Sequence, residues 1–229
     1  MSTNIYKSNI KCAVFDLDGT LLNTIKTITH YLNFALAKNQ LLAVSEEECM
    51  GFVGDGVRML LIRAIEARGE YSDELYKKMF EDYNTAYNRE PNYLTEAYGG
   101  IIQMLSELKS EGIRLAVLSN KPHFATLATI KEFFPDTFDV VNGGRDGVPL
   151  KPDPTSLLLT ISALECSPGE CLYVGDSDVD MQTARNAGVA IALGVSWGYR
   201  SSDILRRSGA DFIADTPSDI SRLLFTKNT

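Results

Sequence analysis

Val14-Phe15-Asp16-Leu17-Asp18-Gly19-Thr20-Leu21 sets two carboxylates two residues apart at the end of a mainly apolar run, Ile10 to Phe15. An ionised aspartate rarely sits unpaired beside a buried strand, because leaving water costs a charge several kcal/mol. Strand alternation points Asp16 and Asp18 the same way. Two like charges that close repel, so a cation or a shared proton belongs to the site. The stretch reads as the end of a short apolar strand opening into a reaction centre.

Five further runs resemble that strand: Ile113 to Leu118, Cys171 to Val174, Val189 to Leu193 and, more weakly, Phe138 to Val141 and Phe212-Ile213. Near-continuous apolar strands without alternation predict a sheet covered on both faces, which is usually parallel. Helical spacing lies between them. Ile101, Met104, Leu105 and Leu108 are followed by Gly112; Leu157, Leu158, Ile161 and Leu164 follow Pro154; Asp180 to Ala187 ends at Gly188. Alternating strands and helices from about Tyr98 onward predict a doubly wound α/β domain with a parallel, Rossmann-like sheet.

The stretch from Asn23 to Asn92 breaks the rhythm. Ile25, Ile28, Leu32 and Leu36, then Met59, Leu60, Ile62 and Ile65, keep helical period without a convincing strand. It reads as an inserted all-helical domain, with Tyr93 to Gly100 as the return linker. The expected division is a core of residues 1–22 and 96–229 and a helical cap of residues 23–95.

The bulk composition narrows the partners. The 229 residues carry a formal charge of −8, with 45% hydrophobic and 23% charged residues. That balance speaks for a soluble globular protein, against a nucleic-acid partner and against general steering of anions, so an anionic substrate needs local cations. No apolar run is long enough to span a bilayer, and residues 1–9 are polar without a signal-peptide core. Cys12, Cys49, Cys166 and Cys171 show no CxxC spacing and read as small buried hydrophobes in a reducing cytoplasm.

Ligands of open parallel sheets bind beyond the carboxyl ends of the strands. There the chain places Asp16 and Asp18, then Ser119-Asn120-Lys121, then Gly175-Asp176 with Asp180, while Lys151-Pro152 precedes a helix. These four motifs, in this order, resemble the haloacid dehalogenase superfamily, in particular its phosphatases with a helical cap after the first strand. The resemblance implies that Asp16 is the nucleophile and Asp18 the general acid and base. It implies Mg2+ held by Asp16, the main-chain carbonyl of Asp18, and Asp176, with Asp180 holding the metal shell or its waters. Ser119, Asn120 and the backbone around them would meet the phosphoryl oxygens, Lys151 would offset their charge, and Gly19 and Thr20 would turn the chain closely past the substrate.

Within the superfamily, Asp18 argues against dehalogenases, which protonate no leaving alcohol, and against transport ATPases, which carry Thr there. The phrases Phe15 to Leu22, Gly54 to Arg58, Lys151 to Pro154 and Gly175 to Ser177 are most similar to phosphoglycolate phosphatases. Pyrophosphatases, 5′-nucleotidases and sugar phosphomutases share most of them. The implied substrate is a small phosphorylated metabolite, 2-phosphoglycolate foremost, handled by a monomer or homodimer. Arg58, beside two glycines, suits either an anion contact or a solvated helix start. A receiver-type phospho-acceptor module needs only half this chain and leaves Asp18 and the helical insertion unexplained.

Overall fold

The apolar runs form strands, and their lack of alternation has a direct cause in how they are covered. The structure is a computed structural model that describes residues 9–225. The elements, in chain order, begin with β1 (Cys12–Phe15) and β2 (Leu22–Asn23). Four helices follow: α1 (Ile25–Lys38), α2 (Glu46–Phe52), α3 (Gly56–Glu66) and α4 (Asp73–Tyr87). Then come β3 (Glu96–Ala97), α5 (Ile101–Ser110), β4 (Arg114–Pro122), α6 (His123–Phe133), β5 (Val140–Gly144) and α7 (Thr155–Ala163). β6 (Cys171–Gly175), α8 (Asp178–Ala187), β7 (Ile191–Val195), α9 (Ser202–Arg207), β8 (Phe212–Ala214) and α10 (Pro217–Phe225) complete the described chain.

Among the described residues, six strands make one parallel sheet in the order β5-β4-β1-β6-β7-β8. β1 is central and its four residues are fully buried. Ala13 and Phe15 join Leu115, Val117, Leu172 and Val174 on one face, beneath Met104 and Leu108 of α5 and Ile220 of α10. Cys12 and Val14 join Ala116, Leu118, Cys171 and Tyr173 on the other, beneath Leu157 of α7 and Met181 of α8. Successive residues of each strand thus face opposite layers that are equally apolar, which removes the alternation from the sequence.

β4 runs past Leu118, where the apolar signal stops, to Pro122. Leu118 pairs with Asn142 and Pro122 with Gly144, so four residues of β4 are matched to two of β5. This irregularity lifts Ser119, Asn120 and Lys121 out of the regular ladder, as bulges beside functional sites do.

The chain divides into two compact units, of which one is Asn23–Glu96. It consists of α1 to α4. Leu32, Leu36, Leu61, Ile65 and Met79 are buried there, and Ser45 starts α2 with a reciprocal capping box to Glu48. β2 and β3 form a two-stranded ribbon where the chain passes into this unit and returns. The sequence offers no sign of it, because a two-residue strand has no period to read. None of the described helices is long and apolar enough to cross a membrane.

Candidate active site

The order β5-β4-β1-β6-β7-β8 builds outward from β1 in one direction and then, from β6, in the other. The two strands flanking this reversal, β1 and β6, end in Asp16 and Asp176. In open α/β sheets this switch point is where ligands bind. The Asp16 main-chain N–H still donates to the Val174 carbonyl at 2.9 Å, so its carboxylate is held at the last rung of the ladder. Beyond it the chain turns sharply, with the amides of Leu21 and Leu22 both donating to the Leu17 carbonyl. Gly19 makes this turn with φ of +86°, and a Cβ there would lie 2.3 Å from Asp176 Oδ2. Backbone conformation and close approach both demand glycine.

Lys151 is the cation that allows these carboxylates to share a site. Its side chain is 2% exposed; Nζ donates to Asp180 Oδ1 at 2.7 Å and to the Leu118 carbonyl at 3.3 Å. Nζ also lies 2.9 Å from Asp16 Oδ1, but outside hydrogen-bonding direction, so this is a charge contact and Oδ1 accepts no hydrogen bond. Burial, then the neighbouring Asp180 charge, pushes the Asp16 carboxyl well above its ordinary range, with Lys151 opposing. For Lys151, burial alone would lower the pKa. Asp16 and Asp180 outweigh it and keep the ammonium charged.

Asp176 is fixed from three sides. Thr20 Oγ1 donates to its Oδ1 at 3.0 Å and the Tyr199 main-chain N–H donates to its Oδ2 at 2.8 Å. The third side is Gly198, where a Cβ would lie 2.2 Å from the Asp176 Cβ. Gly198→Ala is therefore expected to part Asp176 from the Tyr199 amide. It should weaken binding of a divalent cation at this cluster by roughly 10- to 100-fold, the usual cost of disturbing a ligand's support. Thermal melts over a Mg2+ titration check this, and an unchanged midpoint would contradict it.

The donor set fits a hard divalent cation. Asp16, Asp176 and Asp180 each offer a carboxylate oxygen within 4.8 Å of the others, and Asp16 Oδ1 is buried without a hydrogen bond. Without metal, burial and the Asp180 charge push Asp176 up to about 7. The folded state then holds a proton that the unfolded chain has released above its ordinary 3.8, so stability is present at low pH and falls as pH rises from about 4 to about 7. In EDTA, wild type is expected to lose stability with pH more steeply than Asp176→Asn, by up to about 1.4 kcal/mol per pH unit. Denaturant titrations between pH 4.5 and 7 measure both slopes; equal slopes would sink the idea.

A sequence model of haloacid dehalogenase-like hydrolases matches residues 13–193. A phosphoglycolate phosphatase of Cereibacter sphaeroides is 39% identical over 193 residues, covering 83% of this chain and 87% of its own. The chain belongs to the haloacid dehalogenase-like hydrolases. An Aquifex aeolicus phosphoglycolate phosphatase is 32% identical over 216 residues, covering 94% of this chain and 97% of its own. The crystal structure of a Lactobacillus delbrueckii subsp. bulgaricus protein aligns with TM-score 0.90 and 30% identity, over 96% of this chain and all of that one. One from Haemophilus somnus, described as a predicted phosphoglycolate phosphatase, aligns with TM-score 0.87 and 28% identity, over 94% and 98%.

In this hydrolase Asp16, Asp18, Gly19, Thr20, Ser119, Asn120, Lys151, Asp176 and Asp180 all lie in the unit built on the sheet. Several have side-chain partners that the sequence does not name. The Thr20 hydroxyl holds Asp176. The Asn120 side chain is taken up by the main chain of Lys151, donating to its carbonyl at 3.1 Å and accepting from its amide at 2.9 Å. Both ends of its amide set the lysine in place. Asp180 accepts from Lys151 and the Tyr173 hydroxyl at Oδ1, and from the Ser177 amide and hydroxyl at Oδ2. Four donors leave it a support for Lys151 more than a direct metal ligand. Ser119 is buried and its Oγ accepts from the Lys121 amide at 3.2 Å. Arg58 belongs to the helical unit, its guanidinium 5.9 Å above the Tyr76 ring.

Four contributors escape sequence reading: Tyr173, Trp197, the Tyr199 amide and Lys121. Tyr173 carries a usable signal, since a hydroxyl in a fully buried strand must find a partner. Trp197 Nε1 donates to the Thr20 carbonyl at 3.0 Å and so braces the turn. A main-chain amide such as that of Tyr199 leaves no trace in residue identity.

Proposed function

We propose that this hydrolase is a Mg2+-dependent phosphomonoesterase acting through an aspartyl-phosphate, with 2-phosphoglycolate as its substrate. The observation that carries the chemistry is Asp16. Its buried Oδ1 accepts no hydrogen bond and stands 2.9 Å from a charged lysine at the sheet's switch point. An unsolvated carboxylate oxygen beside a fixed cation is suited to attack phosphorus. The substrate reading is supported by the names of the relatives.

In the first half-reaction an Asp16 oxygen forms a bond to phosphorus while the phosphorus–ester oxygen bond breaks. Asp18, partly exposed two residues on, delivers a proton to the departing oxygen. In the second, Asp18 takes a proton from water, the water oxygen bonds to phosphorus, and the acyl-phosphate bond breaks to restore the Asp16 carboxylate. Lys151, held by Asn120 and Asp180, offsets the negative charge gathered on Asp16 and the phosphoryl oxygens. Ser119 and neighbouring amides bind those oxygens. Asp16, Asp176 and the Asp18 carbonyl would hold Mg2+, with Asp180 behind them; the ion supplies Lewis-acid stabilisation of the phosphoryl charge. The helical unit, inserted just after the strand that carries both catalytic carboxylates, serves as the cap that selects substrate. The free buried thiols of both units, Cys12 and Cys171 on the sheet and Cys49 among the helices, suit a reducing cytoplasm.

Phosphate release from 2-phosphoglycolate, pyrophosphate, a nucleoside monophosphate and a hexose phosphate, with Mg2+ and after EDTA, tests this reading. Fastest release from 2-phosphoglycolate, lost in EDTA, is expected. Hexose phosphate isomerisation without phosphate release would overturn the hydrolytic reading in favour of a mutase. Preference for another ester would overturn the substrate.

A further inference from the structure

Lys121 is the cation that the mechanism above does not use. It ends the irregular stretch of β4, its side chain is 6% exposed, and its Nζ lies 3.3 Å from Asp18 Oδ1. The site therefore holds two nearly buried lysines with separate stations. Lys151 stands with Asp16 and Asp180 on the phosphoryl side. Lys121 stands with Asp18, the group assigned to the leaving oxygen. Enclosing a second ammonium so fully is costly unless negative charge meets it. Asp18 supplies one such charge at the long end of hydrogen-bonding range.

The chemistry of the substrate supplies another. In 2-phosphoglycolate a single CH2 separates the leaving oxygen from the carboxylate, so ordinary bond lengths hold the carboxylate oxygens about 3 Å from the leaving oxygen. A general acid must itself stand within about 3 Å of that oxygen. A group in contact with Asp18 is thus in range of the carboxylate, and the contact is a cation. A chain with net charge −8 offers an anion no general attraction, so a local cation has to supply it.

We propose that Lys121 is the specificity-determining residue that receives the substrate carboxylate. It selects phosphoesters that bear a carboxylate on the carbon next to the leaving oxygen. This rests on the phosphatase reading, with Asp18 at the leaving group, and names the group by which that site tells its substrate from a plain alkyl phosphate.

The test compares kcat and KM for 2-phosphoglycolate and for ethyl phosphate, which has the same carbon count and no carboxylate, in the Mg2+-loaded wild type, Lys121→Met and Lys121→Arg. Wild type is expected to prefer 2-phosphoglycolate. Lys121→Met should shrink that preference roughly 30-fold or more, chiefly through KM for 2-phosphoglycolate, as expected for a truncated charge contact. Lys121→Arg should keep most of it. A preference unchanged in Lys121→Met, with both substrates impaired alike, would show that Lys121 only supports Asp18 and would overturn the proposal alone. No preference in wild type would overturn the phosphoglycolate reading and this proposal together. Lys121→Gln replaces the methionine variant if thermal melts show that the latter does not fold.

Discussion

Asp16→Asn is expected to abolish phosphate release, lowering kcat by at least about 10^4-fold, because an amide of the same shape cannot attack phosphorus. Its effect on stability should have the opposite sign. Asp16 is buried, and burial together with the charge of Asp180 disfavours its ionised form. Removing that charge relieves a repulsion among Asp16, Asp176 and Asp180, while Lys151 keeps Asp180 as its partner. In metal-free protein the Tm should therefore stay level or rise. Single-turnover kinetics and a thermal melt on the same preparation check both halves. A kcat within tenfold of wild type would exclude Asp16 as nucleophile, whereas a lost activity with a collapsed Tm would report unfolding instead.

Lys151→Met should cost both activity and stability. The substitution leaves Asp16 and Asp180 buried without their shared cation, and breaking a buried pair in this way typically costs about 3–5 kcal/mol. For a chain of this size the Tm should fall by about 10 °C. Loss of one fixed charge opposite the developing phosphoryl charge should lower kcat by roughly 10^2- to 10^3-fold. The ammonium is held above its ordinary 10.5 in the folded state, so its contribution is fully present below that pH and is lost only as pH rises through the higher folded value. Lys151 also holds the raised pKa values of Asp16 and Asp176 down, so the Tm deficit of Lys151→Met should grow as pH rises from 6 to 9 in EDTA and those carboxyls ionise. Adding Asp180→Asn to Lys151→Met should recover part of the Tm, since the pair shares one interaction. Additive losses would contradict the shared-cation account.

Asp16 and Asp176 were legible in the sequence because each directly follows a fully buried strand, and a carboxylate at the end of an apolar run has few structural uses. Lys151 was legible only through its place among the four ordered motifs, since a lysine before a proline is otherwise unremarked. Thr20 and Asn120 are legible as site residues, but the partners their side chains take are not. Both stand beside the reaction centre in sequence, yet their side chains are turned to Asp176 and to the main chain of Lys151, 156 and 31 residues away. Lys121 lay inside a quoted motif without a role for the same reason. Its counter-charge, Asp18, is 103 residues distant.

The sequence by itself determined the parallel sheet, the interruption by helices after its first strand and the kinds of chemical group at the strand ends. Such features are local. A strand buried on both faces writes its environment into consecutive residues, a helix writes it at intervals of three and four, and a site at a strand end inherits its position from the strand. Only the tertiary structure decided which group holds which. The Tyr199 amide on Asp176, the Asn120 clamp on Lys151, the Tyr173 hydroxyl on Asp180 and the Trp197 brace on the Asp16 turn join strands and loops that meet only when the sheet closes in its final order. Hydrogen bonds act over about 3 Å and leave no periodicity along the chain, so side-chain partnership is a property of the folded molecule.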